Sequence, residues 1–341
     1  MSRQYLGLSG LAMVLVVLRH ALELGTTWQG HTTLTTGPEL FLYSILHSLG
    51  PIAVPLFLFV SGGFTAYAAR GNPPRLTWQW LQSTLLRLFW PYLLWSSVFY
   101  LFIFLQRDEG YSLFGYVKNL LVGYPFHFIP LLVFFYILSP LLAYCARRYA
   151  LITLGVIALY QIFLGLARQP EVWGVALPSW TELFVPPIIS GTFATWGIYF
   201  PLGLVLGLQG KHAKTVLQRY RWALVGTTAL FYLLAMWRVH PGFGSLYPLT
   251  GVLLAPIVRR DQIPCVTWFE EVGKRSYGVY LTHLLVISLG LIVVETFMPG
   301  LFAHPWLLSA GLFAAGLFLP LFVMQLTWRL PARATWRYVF G

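Results

Sequence analysis

Residues 5–24 read YLGLSGLAMVLVVLRHALEL, twenty positions in which only Arg19, His20 and Glu23 can carry charge near neutral pH. A helix of that length rises about 30 Å, which matches the hydrocarbon thickness of a bilayer. The run is too long for the apolar part of a cleavable leader, and no small-residue cleavage site follows it, so it is expected to remain in the chain as a spanning helix. The rest of the 341 residues carries the same signature. Apolar residues make up 58% of the chain and charged ones 9%, with a mean hydropathy of +0.71. A soluble globule holds roughly 25% charged residues and could not hide this much apolar surface. The composition excludes a soluble enzyme, a disordered tail and a secreted disulfide scaffold. Cys145 and Cys265 show no metal-ligand spacing and imply no metal site.

Runs of about 20 mainly apolar residues predict ten spans, at 5–24, 43–68, 88–106, 127–146, 150–168, 191–209, 220–238, 243–258, 276–296 and 305–327. The fold class is therefore all-α, a polytopic membrane helix bundle. Pro51 and Pro55 are expected to kink the second span or divide it into an interfacial piece and a crossing. The eighth span, rich in Gly and Pro, is the shortest. If all ten cross and the N-terminus is cytoplasmic, 17 of the 22 lysines and arginines fall inside. Arg75 and Arg333 are among these; Arg107, Lys118, Arg168 and Arg238 fall outside, and Arg19 lies within the first span. That asymmetry is the positive-inside pattern, so both termini are expected in the cytoplasm. The net charge of +12 is thus orientation and not nucleic-acid binding. LTWQWLQSTLL (76–86) and IPCVTWFEEVGKR (263–275) set Trp beside polar residues, as helices in the headgroup region do. The outer loop 169–190 is the longest polar interruption on its side, and no internal repeat of the transporter kind is visible.

Ionisable groups inside a membrane are expensive, and each is a functional hypothesis. His20 heads the list: an imidazole can take a proton from a hydroxyl near neutral pH, and Glu23 at i+3 shares its face on a continuous helix. An interfacial histidine bonded to a neighbour accounts for the same residue. Glu39 and Glu182 are the other acidic residues on the outer side that could orient it. In SYGVYLTHLLV, Ser276, Tyr277, Tyr280 and His283 form a polar stripe that points into a bundle, as cavity lining or as interhelical hydrogen-bond glue. His127 stands at the outer start of the fourth span beside aromatics, which an interfacial belt also explains. Ser61 precedes Gly62 and Gly63, where small residues let a backbone or ligand approach, but no nucleophile-elbow pattern surrounds it. Arg87, ahead of Trp90-Pro91-Tyr92, could grip a phosphate or snorkel to headgroups. No P-loop and no zinc-protease motif occurs.

Six stretches in order resemble the acyltransferase 3 family of integral membrane acyltransferases: GLSGLAMVLVVLRH (7–20), IAVPLFLFVSGGF (52–64), LLRLFWPYLLWSS (85–97), FHFIPLLVFFYILSPLL (126–142), YFPLGLVLG (199–207) and VGKRSYGVYLTH (272–283). The resemblance implies one acyltransferase-like domain over 1–341 and transfer of an acyl group, typically acetyl, from acyl-CoA to a hydroxyl of a cell-surface glycan or lipid-linked sugar. It implies His20 as the catalytic base, and Arg87, Ser61 and Tyr92 towards the donor. His127, Ser276, Tyr280 and His283 would line the cavity on the acceptor side. Acetyl-CoA would act as co-substrate, with no permanently bound cofactor, no metal and no nucleic-acid partner; the lipid bilayer is the setting, a bacterial inner membrane the expected one. Two positions depart from the family: Ser9 and Thr84 stand where many members carry arginines. The alternative within the same superfamily is a glycan exporter or flippase without acyl transfer.

Overall fold

The protein is described here by a computed structural model covering residues 3–27, 37–70, 76–329 and 335–341. Arg75 and Arg333 lie outside the described residues. Within them the chain is helical and no strand occurs. The helices run α1 Arg3–Thr27, α2 Pro38–Leu49, α3 Ala53–Ala69, α4 Trp78–Arg107, α5 Leu113–Val122 and α6 Phe128–Arg148. Next come α7 Ala150–Arg168, α8 Pro170–Trp173, α9 Ser190–Trp196, α10 Tyr199–Arg219 and α11 Arg221–Met236. The last five are α12 Phe243–Leu254, α13 Val266–Lys274, α14 Ser276–Phe297, α15 Pro305–Arg329 and α16 Trp336–Val339.

Among the described residues seven runs are long and apolar enough to cross a membrane: α1, Pro38–Ala69, α4, α6, α7, α14 and α15. The α9–α10 pair makes an eighth if its 46° bend belongs to one crossing. Of the ten expected spans, the two at 220–238 and 243–258 correspond to helices of only 16 and 12 residues. At 1.5 Å per residue these reach about 24 and 18 Å, short of a hydrocarbon core. Pro51 does divide the second run, where a 3-10 turn at Gly50–Ile52 separates α2 from α3. The stretch 76–86 differs from expectation. It forms no separate interfacial helix, because Trp78 opens a continuous 30-residue α4 that runs through Pro91. Proline removes a single backbone donor there, and spanning helices tolerate that loss.

The chain divides into two compact units. The first comprises Val54–Leu88 and Gly110–Val258. Here α3 and α10 meet backbone to backbone: a Cβ on Gly203 would lie 1.9 Å from the Phe59 carbonyl oxygen, and one on Gly62 would lie 2.0 Å from that of Phe200. Two arginines satisfy exposed helix carbonyls: Arg70 donates to that of Gly207, one turn before the non-helical Gly210 that interrupts α10, and Arg147 to that of Ala69 at the end of α3. The α9–α10 break is splinted by one side chain. Gln161 of α7 accepts from the Ile198 N–H at 2.7 Å and donates to the carbonyls of Ala194 (3.1 Å) and Thr195 (3.3 Å). A helix end within an apolar unit needs such partners, because orphaned backbone groups are costly where water is absent.

The second unit comprises Ser2–Ala53, Phe89–Glu109 and Arg259–Gly341. Its centre is α1, packed against α13, α14 and α15. A Cβ on Gly10 would lie 1.9 Å from the Phe269 carbonyl oxygen, and one on Gly273 the same distance from that of Leu6. The 263–275 stretch is therefore docked on α1, with Glu270, Val272 and Gly273 buried. Arg260 holds the Glu270 carboxylate with two nitrogens, the second at 3.1 Å. That guanidinium keeps the Glu270 carboxyl below the ordinary carboxylate range. A depressed carboxyl contributes stability above its unfolded pKa and loses it as pH falls through the folded one. The melting temperature of the wild type should therefore exceed that of Glu270→Gln at pH 7, and the gap should close as pH falls below 4. A gap that stays constant with pH would show that the ion pair does not stabilise the docking.

Candidate functional site

Five of the residues singled out in the sequence belong to the second unit: His20, Tyr92, Ser276, Tyr280 and His283. His20 follows an apolar stretch of α1, and its side chain is one-third exposed. The Glu23 carboxylate stands 3.7 Å from its Nδ1 and 3.9 Å from Arg19 Nε, one turn along the same helix. Arg19 is set by the turn after α2, for a Cβ on Gly50 would lie 2.4 Å from its Cδ. His47 of α2 stacks on Tyr43 with ring centroids 5.3 Å apart and lies close enough to bear on the charge of His20. Sequence reading passed over His47, whose neighbours in PELFLYSILHSL showed no chemical pattern.

His283 is fully buried on α14. Its Nδ1 faces two carbonyl oxygens of its own helix, Tyr280 at 2.7 Å and Val279 at 3.2 Å. A carbonyl only accepts, so these bonds assign the proton to Nδ1 and leave a lone pair on Nε2. That Nε2 is buried and has no hydrogen-bond partner among the described residues. The His20 and His283 rings stand 5.4 Å apart between centroids, tilted by 39°. The tertiary fold thus pairs two histidines that lie 263 positions apart in the sequence. Tyr280 packs on His283 with centroids 5.7 Å apart, and Tyr92, Tyr100 and Tyr277 gather close enough to interact electrostatically in the same unit. Ser276 donates its hydroxyl to the Gly273 carbonyl at 3.0 Å, tying the start of α14 to α13.

Ser61, Arg87 and His127 belong to the first unit. Ser61 hydrogen-bonds the Tyr136 hydroxyl, and Arg87 lies close enough to act electrostatically on that tyrosine. Arg87 also donates from Nε to the Ser83 carbonyl at 3.0 Å. Trp80 meets Tyr136 edge-on at 6.1 Å. Tyr136 is one aromatic among several in its span, and nothing in the local sequence pattern distinguishes it. His127 is exposed beside Tyr124, with ring centroids 6.1 Å apart. Of the two substituted arginine positions, Ser9 is buried and Thr84 donates to the Trp80 carbonyl of its own helix at 2.8 Å. A cavity of about 650 Å³ opens beside Leu76, Pro140, Tyr144, Arg147 and Arg148, none of which the sequence reading had placed in a site. Among the described residues no group of three or more His, Cys, Asp or Glu could hold a metal ion.

A family model described as an acyltransferase domain matches residues 7–329, nearly the whole chain. No curated protein and no solved structure matches it. The chain belongs to the acyltransferase 3 family, and its multiple apolar helices are those of an integral membrane acyltransferase.

Proposed function

We propose that the whole chain works as one multi-pass O-acyltransferase domain of a bacterial inner membrane. It moves an acyl group, acetyl being the favoured one, from acyl-CoA to a hydroxyl of a cell-surface glycan or lipid-linked sugar. The observation that carries this reading is a one-third exposed imidazole in an apolar helix, standing 3.7 Å from a carboxylate. With Glu23 on the Nδ1 side, the Nδ1–H tautomer of His20 is favoured and Nε2 is left as the base. The acceptor hydroxyl gives its proton to that nitrogen while its oxygen bonds the thioester carbonyl carbon. The carbon–sulfur bond then breaks, and the thiolate takes up the proton as free coenzyme A. Glu23 supports the imidazolium formed between these steps. In this reading Arg87, Ser61 and Tyr92 serve the donor, and His127, Ser276, Tyr280 and His283 the acceptor side. All ten apolar segments cross or enter the bilayer with both termini in the cytoplasm, as the distribution of lysine and arginine favours.

Acetyl-CoA binding to the purified, detergent-solubilised protein tests the donor assignment. Calorimetry is expected to show saturable binding that Arg87→Ala weakens by about tenfold or more, the scale of one charge-assisted phosphate contact. A folded wild-type protein that binds neither acetyl-CoA nor longer acyl-CoAs would overturn it. That outcome favours the second reading, glycan export without acyl transfer. The observation behind that reading is that Ser9 is buried and Thr84 is satisfied within its own helix, so neither supplies the charge of the arginine it replaces.

A further inference from the structure

Pro140, Ala143, Tyr144, Arg147 and Arg148 fall at i, i+3, i+4, i+7 and i+8 along α6, one continuous stripe of that helix. With Leu76 they line the 650 Å³ cavity of the first unit, which is therefore a groove that follows α6 for more than two turns, about 12 Å. Ala143 is buried there, packed with Leu76 against Ala66, Ala69 and Leu204, while Tyr144 is 64% exposed. The stripe is apolar at Pro140 and Ala143 and ends in two guanidiniums, on the last turn of a helix apolar enough to cross a membrane. Arginines at such an end ordinarily snorkel into the headgroups. These two are held in place. Arg147 donates to the Ala69 carbonyl, and Arg148 donates from Nε to the Tyr149 hydroxyl at 3.0 Å with its guanidinium 5.6 Å from the centre of that ring. Each contact occupies one nitrogen and leaves the other N–H donors of the fork available. Neither arginine has an ion-pair partner among the described residues. The acidic residues of the first unit are Glu171 and Glu182, and both follow the far end of α7, whose 19 residues rise about 28 Å from the end of α6.

We infer that this groove binds an anionic phospholipid of the surrounding bilayer, with phosphate oxygens on Arg147 and Arg148 and the start of an acyl chain along Ala143 and Pro140. The planar guanidinium fork matches phosphate oxygens two at a time, and forks already fixed by a carbonyl and a tyrosine lose little freedom on binding. A bilayer lipid presents its phosphate at the end of a spanning helix and its hydrocarbon deeper, in the same order as the groove. Coenzyme A also carries phosphates, but the apolar length of the groove would leave the amides of its pantetheine arm without partners. In the orientation proposed above, this end of α6 faces the cytoplasmic leaflet, where basic pockets between helices take anionic headgroups. The inference goes beyond acyl transfer and holds equally for an exporter.

The test is a thermal-shift titration of the purified full chain in neutral detergent with dioleoyl-phosphatidylglycerol or dioleoyl-phosphatidylcholine. Phosphatidylglycerol is expected to raise the melting temperature saturably and phosphatidylcholine to raise it little. Arg148→Gln should increase the half-saturating phosphatidylglycerol concentration by about tenfold or more, the scale of one charge-assisted contact. The charge control is the double variant Arg219→Gln/Arg221→Gln, which removes two arginines of the same unit that stand over Tyr220 and Trp222 and do not line the groove. Its response should match the wild type. Equal shifts with both lipids, or a loss in the control as large as in Arg148→Gln, would reduce the effect to bulk charge and overturn the inference. Acetyl-CoA is titrated in parallel. If Arg148→Gln weakens acetyl-CoA binding and leaves the phosphatidylglycerol response intact, the groove serves the acyl donor and the inference falls, while the acyl-transfer reading stands. A lipid response as expected from a chain that binds no acyl-CoA supports the inference and removes the donor reading. Should Arg148→Gln fail to fold, native mass spectrometry of the wild type in an equimolar mixture of the two lipids decides: preferential retention of phosphatidylglycerol supports the inference, and equal retention overturns it.

Discussion

His20→Ala should lower acyl transfer by about 10² to 10⁴-fold, the range that a positioned general base supplies, while the protein accumulates in the membrane at the wild-type level. The two halves of that expectation have separate causes. The chemical half follows from the proton that the acceptor hydroxyl must lose as it attacks: without a base it passes to water, and the barrier rises accordingly. The structural half follows from where the side chain sits. His20 is one-third exposed, and its named neighbours are the Glu23 carboxylate at 3.7 Å and the His283 ring. Its removal takes away little packing, and the close α1–α13 contact at Gly10 lies almost three turns away along α1. Glu23→Gln should give a smaller loss of about tenfold, because it removes support for the imidazolium but leaves the base. Labelled acetyl incorporation into membrane glycans, normalised to chain abundance by immunoblot, measures both. Transfer at the wild-type rate by His20→Ala would remove this histidine from the mechanism.

The largest expected effect on stability is that of Gly203→Ala. An added methyl would lie 1.9 Å from the Phe59 carbonyl oxygen, against the 3.0 Å that real Cβ atoms essentially never undercut. Backbone must move to relieve it, since the opposing atom is not the end of a flexible side chain. The contact is reciprocal, as Gly62 meets the Phe200 carbonyl in the same way, so α3 and α10 would part along a shared seam. Small residues at such crossings are what let helices approach where lipid provides no hydrophobic drive between them. Overpacking of this kind costs about 1–3 kcal/mol or more. Gly155→Ala on α7 is the matched control: it has open space around it, and alanine there gains about 1 kcal/mol of helix propensity. The same substitution should thus lower the melting temperature in detergent at Gly203 and leave it unchanged or raise it at Gly155. Equal behaviour of the two variants would show that the α3–α10 approach is looser than described.

The membrane class, the extent of most apolar runs, the break at Pro51 and the family were all legible in the sequence, because each depends on properties read along one dimension. Hydropathy over twenty residues decides whether a helix can sit in hydrocarbon, and proline removes a donor wherever it stands. His20 and Glu23 could be paired in advance for the same reason, since i and i+3 share a face on any continuous helix. The 30-residue α4 was hidden because Trp and polar residues at its start imitate an interfacial helix, and composition does not show whether the backbone continues. The rest was decided by which helices approach one another. Gln161 reads as a lone polar residue in an apolar helix until the broken α9–α10 backbone comes within its reach. Gly10 and Gly203 look like ordinary small residues until an opposing carbonyl stands where a side chain would be. His283 could be glue or cavity lining, and only the approach of α14 to α1 brings its ring to 5.4 Å from that of His20. Periodicity fixes the face of a helix, but the partner that face meets depends on packing between distant segments, and that is information no single helix contains.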